Sequence, residues 1–168
     1  MTPSVAQVLD SISSSLHEHV RPHVTDPYAH SVLLTIDNLL RYAALRAERE
    51  AELLAEDNED LAGVLGRMAT LLADDTWLSA ELDAALAAVR AEIEGAVPGF
   101  PSVTRLSLRS TQLRTQLDEL LAVLIAARER LGARPAYREA RSLARDYLSR
   151  MLLRSAAVVD PAFVSDRR

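Results

Sequence analysis

All four histidines, His17, His19, His23 and His30, fall within fourteen residues, and they come nearest in this chain to metal chemistry. Imidazoles hold zinc and related ions when several converge from fixed positions. The spacing works against that here. On a helix of 3.6 residues per turn, His17 and His19 point about 200° apart. His19 and His23 have the four-residue spacing of helical ligands, but Pro22 stands between them. The Glu-x-x-His pairs that build di-iron sites in bundles are missing. The expectation is histidines around a helix junction, with no metal and no cofactor. Asp26 and His30 share a helical face, as an orienting pair or a first-turn contact.

A second pattern is basic. Arg134, Arg138, Arg141 and Arg145 recur at four, three and four residues, which lines them along one stripe of a helix. Guanidinium groups in a row suit phosphates, a carboxylate ligand or an acidic partner helix. The competing reading is pairing with the acidic stretch from Glu48 to Asp60, or plain solvation. These four arginines are the candidate binding residues.

Catalytic patterns do not emerge. Ser11, Ser13, Ser14 and Ser15 have no nucleophile context. Asp37, between Ile36 and Leu40, reads as an exposed flank or a hydrogen-bonded spacer more readily than as a general base. No Gly-x-Ser-x-Gly, His-Glu-x-x-His, Walker or dinucleotide glycine motif is found. Every basic residue among the 19 Lys+Arg is arginine, which excludes Schiff-base lysine chemistry and a P-loop lysine. The chain has no cysteine, so thiolate nucleophiles and disulfides are excluded as well. The expectation is a protein that is not an enzyme.

The elements that position these residues are helices. Ala and Leu, the strongest helix formers, supply 27 and 28 of the 168 residues, and aromatics only 4%. The predicted fold is all-α, a single antiparallel bundle of five or six helices over residues 1–154, with a loose tail over 155–168. A first helix runs from about Ser4 to His19 or Val20, with Val5, Val8, Leu9, Ile12 and Leu16 on one apolar face, and Pro22 ends it. Asp26 and Pro27 start the second, whose buried stripe is Leu33, Ile36, Leu40, Ala43, Ala44 and Ala47. Asp57-Asn58-Glu59-Asp60 reads as a break or kink, and Ala62, Gly66, Ala69 and Ala73 beyond it as a ridge that another helix approaches. Caps at 74–76 and a stop at Gly95 bracket a further helix. Ser102 then caps a long helix to Leu131, Gly132 stops it, and Pro135 opens the last one, which loses its periodicity after Arg154.

The net charge of −5 hides an asymmetry, with a balance of −11 over residues 1–100 and +6 over residues 101–168. The halves are expected to pack side by side and neutralise each other. An acidic chain without a helix-turn-helix signature or interleaved aromatics points away from nucleic acid. No apolar run approaches membrane-spanning length, and the first residues lack the charged and apolar regions of a signal peptide, so the expected location is the cytoplasm.

The segment Ser15-Leu16-His17-Glu18-His19-Val20-Arg21-Pro22, followed by Tyr28-Ala29 and by Leu39-Leu40-Arg41-Tyr42 through Arg46-Ala47-Glu48-Arg49-Glu50, carries a resemblance. It resembles the N-terminal half of small uncharacterised bacterial helical proteins encoded beside aminoglycoside-phosphotransferase-like kinases and acyl-CoA dehydrogenases. That resemblance covers about the first fifty residues and implies an accessory role near acyl-CoA or phosphotransfer metabolism. The functional expectation is a non-catalytic protein that associates with itself, as a homodimer, or with a partner enzyme. The alternative is a bundle that binds an acyl or other amphipathic small molecule. The surplus of apolar faces expected to drive pairing is sought on Leu113–Leu131.

Overall fold

A computed structural model describes residues 2–73, 80–94 and 101–163, and these are all-α, without strands. The elements are α1 (Val5–Ser15), a π-helical turn (Leu16–Val20), a 3-10 turn (Arg21–His23), α2 (Pro27–Ala73), α3 (Ala80–Glu94), α4 (Val103–Ala126), α5 (Arg128–Leu131) and α6 (Pro135–Phe163). They form two compact units. The central unit is Ala51–Leu152; the terminal unit is Met1–Glu50 with Leu153–Arg168.

Helix starts follow the local chemistry. Ser4 and Gln7 close a reciprocal capping box on α1, Gln7 N–H donating to Ser4 Oγ at 3.2 Å and Ser4 N–H to Gln7 Oε1 at 2.8 Å. Asp26 accepts from Ala29 N–H at 3.0 Å at the start of α2, so its carboxylate caps and leaves His30 to other partners. Ser102 accepts from Arg105 N–H at 3.4 Å at the start of α4. The long helix expected to reach Leu131 is interrupted at Ala127 (φ −86°, ψ 3°), and α5 resumes for one turn. A Cβ on Gly132 would stand 2.6 Å from the Arg128 carbonyl oxygen, which explains glycine at this stop.

Three expectations change. Asp57-Asn58-Glu59-Asp60 does not break the chain; α2 runs through it. Asp57 and Asn58 are buried within the central unit, and distant side chains satisfy them. Arg114 Nη2 donates to Asp57 Oδ2 at 2.8 Å and the Tyr147 hydroxyl to Oδ1 and Oδ2 at 3.3 and 3.2 Å. Asn58 Nδ2 donates to the Leu106 carbonyl at 2.9 Å, and Arg150 grips Asp60 at 2.7 and 3.0 Å. Polar side chains that would compete for the backbone in an isolated peptide are thereby engaged elsewhere. Secondly, α6 stays helical past Arg154 to Phe163. Thirdly, the first helix changes pitch at Leu16 instead of running on to Val20 as an α-helix. The caps at 74–76 and the stop at Gly95 lie outside the described residues.

The central unit has one continuous core. Leu61, Val64, Leu65, Met68 and Leu72 of α2 meet Leu82, Leu86 and Val89 of α3, Leu113, Leu117, Leu120 and Leu124 of α4, and Tyr137, Ala140, Ala144 and Tyr147 of α6. At Gly66 a Cβ would lie 3.7 Å from Ile93 Cδ1, so the small-residue ridge of α2 does face α3. Burial pushes the Tyr147 phenol above its ordinary pKa, and the Asp57 charge adds to the shift. Arg114–Asp57, Arg150–Asp60 and Arg109–Glu92 each join an acid from the first hundred residues to an arginine from the remainder. The charge asymmetry of the sequence is thus partly neutralised within this unit.

Candidate functional site

The polar cleft of the terminal unit grows out of the change of pitch after Ser15. Pro22 has no N–H to continue an α-helical ladder. The chain widens one turn earlier instead, and Arg21 N–H bonds the Leu16 carbonyl five residues back. A 3-10 turn follows, closed by Val24 N–H on the Arg21 carbonyl at 3.2 Å. Such π-turns frequently mark functional sites because they re-aim side chains. Here the turn carries His17 and Glu18 into a cleft of about 490 Å³ together with Arg21, Ser13, Asp37 and Arg41, while His19 lines a separate hollow beside Ser11, Ser15 and Val20. His17 and His19 therefore diverge, as their spacing led one to expect.

Arg21 organises one side of the cleft. Its Nε donates to His30 Nε2 at 3.3 Å, and its Nη1 lies 3.2 Å from His17 Nδ1. A guanidinium only donates, so in each of these contacts the imidazole nitrogen is the acceptor. On the other side Asp37 accepts from the Ser13 hydroxyl and from Arg41 Nη2, the latter at 2.8 Å. The Ser13 hydrogen bond holds the Asp37 carboxyl below its ordinary pKa against the upward pull of burial, and Arg41 adds to the lowering. Asp37 is the hydrogen-bonded spacer of the sequence reading: it tethers α1 to α2. Among the described residues no three His, Cys, Asp or Glu side chains are grouped as metal ligands.

Of the arginine stripe, Arg138, Arg141 and Arg145 lie on α6, whereas Arg134 stands just before its first residue, Pro135, so the expected four-membered stripe is three residues long on the helix. Arg138 and Arg145 are exposed, and Arg134 and Arg141 half-buried. Arg138 Nη2 donates to the Ala133 carbonyl at 3.4 Å and Arg141 Nη1 to the Tyr137 hydroxyl at 3.5 Å. Within the acidic stretch, Asp57 takes Arg114 and Asp60 takes Arg150, two arginines that sequence spacing did not single out. Sequence reading also passed over Arg21. Its signal was available: it stands four residues after His17, directly before Pro22.

Compared with known protein families, with curated proteins and with solved structures, the chain finds no match.

Proposed function

We infer that this protein acts by self-association, as a homodimer built on the apolar faces of its terminal unit. The observation that carries the reading is the burial imbalance. Between residues 2 and 50 the buried hydrophobic side chains are Ala6 and Ala44, whereas Val5, Val8, Ile12, Tyr28, Val32, Ile36 and Leu39 stand exposed. The periodicity that predicted buried faces is present, but the single chain does not cover them. Leu113, Leu117, Leu120 and Leu124, where a pairing surplus was expected, are consumed by the core of the central unit. The surplus lies on the terminal helices instead.

A second copy fits this surface best. Tyr28, Val32, Ile36 and Leu39 fall within about 80° on α2, with Asp37 and Arg41 roughly half a turn away. An uncharged apolar stripe is compatible with its own two-fold copy, since no like charges meet. A unit whose buried hydrophobic side chains, among the described residues, are two alanines also needs its cover wherever the chain folds, and another copy is always at hand. The cleft of the terminal unit is open, which gives less support to a bundle that encloses a long acyl chain, since that calls for an enclosed apolar cavity.

Light scattering at micromolar concentration tests this. The expected mass is twice 18.4 kDa for the wild type, and that of one chain for the double substitution Ile12→Asp with Leu39→Asp, with the helical circular dichroism retained. A wild-type mass of 18.4 kDa overturns the reading. So does a double variant that remains dimeric, because the contact then lies elsewhere.

A further inference from the structure

The cleft of the terminal unit holds a cation that the fold itself does not neutralise. Among the described residues no carboxylate ion-pairs with Arg21; its partners are the imidazoles of His17 and His30. The other arginine of the cleft, Arg41, is committed to Asp37. A guanidinium held in one orientation by two imidazole nitrogens, with its remaining N–H groups unspent, is a preorganised oxyanion receptor. The residues beside it select the kind of anion. Glu18 and Asp37 line the same cleft, and their charges oppose a dianion such as a phosphate monoester more strongly than a monoanion. A small hollow next to Arg21 is lined by Leu16, Leu33 and Leu34 together with Ser13, His17 and Asp37, and the three leucines offer apolar contact to a short alkyl group.

We propose that Arg21 binds the carboxylate of a short-chain aliphatic monocarboxylate, with His17 and His30 fixing the guanidinium and the three leucines receiving the alkyl part. The site does not depend on dimerisation. On α2 the cleft residues His30, Leu34, Asp37 and Arg41 share the face roughly opposite the Tyr28–Leu39 stripe.

The probe is butyrate, titrated into ¹⁵N-labelled full-length protein with amide and histidine ring resonances followed by NMR, and inorganic phosphate titrated in parallel. The expected result is saturable shifts at the Leu16–Arg21 turn, around Leu33–Asp37 and on the His17 and His30 rings, with phosphate binding more weakly. Arg21→Gln weakens butyrate on the order of tenfold or more, as loss of a charge-assisted pair requires, while the amide spectrum stays folded. Should Arg21→Gln unfold, Leu34→Asp decides in its place, because it alters an exposed position, leaves Arg21 intact and sets a competing carboxylate at the hollow. It too is expected to weaken butyrate on the order of tenfold or more. Shifts that grow linearly without saturation overturn the proposal, as does saturable binding that survives the folded variant. Phosphate binding tighter than butyrate overturns the choice of a monocarboxylate.

Discussion

Among the described residues, 51–152 bury twenty apolar side chains, nineteen of them in one core, while the terminal unit buries two, both alanines. Of the sixteen large hydrophobic side chains exposed among the described residues, eleven belong to the terminal unit. Yet the two regions are written in the same alphabet, with Leu, Val, Ile and Ala at three- and four-residue intervals. The contrast teaches that apolar periodicity specifies a face to be covered and is silent about what covers it. In the central unit four helices cover one another. In the terminal unit the faces of α1 and of the first part of α2 remain exposed.

Truncation in the two regions should therefore differ sharply, and this is the largest effect expected. Leu120→Ala removes a fully buried side chain from the central core and is expected to cost about 2–5 kcal/mol in denaturant unfolding. Val8→Ala, at a position 45% exposed, is expected to change stability by no more than ~0.5 kcal/mol at high dilution. At concentrations where dimers form, the Val8→Ala cost grows, because the face is then covered. Equal costs at high dilution would erase the contrast between the units.

The next effect belongs to the polar network of the central unit. Asp57→Ala leaves Arg114 and Tyr147 without their shared acceptor. Hydrogen bonds to charged groups contribute about 1.5–3 kcal/mol, and Arg114 is half exposed and so partly re-solvated. A loss of about 2 kcal/mol is expected, read by thermal unfolding. If the variant matches the wild type, helix continuity through 57–60 does not depend on these partners.

The smallest effect is the Asp37 tether in the terminal unit, and its signature is in the pH dependence. Its carboxyl titrates below the ordinary value of 3.8 when folded, so folding favours the ionised form. The resulting stability is present above that ordinary value and is lost as pH falls through the lower folded value. Asp37→Asn is expected to cost a few tenths of a kcal/mol near neutrality, in keeping with an exposed pair, and nothing once wild-type Asp37 is protonated. Unfolding curves of both proteins across that acid range check it; a difference that widens on acidification contradicts the tether.

Much of the fold was legible residue by residue. Asp26-Pro27, Ser102, Gly132 and Pro135 mark boundaries because capping and proline chemistry act over one turn of chain. Leu113, Leu117, Leu120 and Leu124 of α4 and Tyr137, Ala140, Ala144 and Tyr147 of α6 recur at three- and four-residue intervals and are buried together, whereas Ile125 and Leu148, apolar at similar intervals, are exposed. The divergence of His17 and His19 was equally readable from spacing. The part that only the tertiary structure decided concerns groups whose partners lie far along the chain. Asp57 meets Arg114 and Tyr147, 57 and 90 residues away, and no local rule turns such an acid from a helix breaker into a buried acceptor. The same holds for Ser13 on Asp37 across 24 residues and Arg21 on His30 across nine. Local propensity is a property of adjacent residues, whereas satisfaction of a polar group in a fold depends on which distant side chain arrives within hydrogen-bond reach.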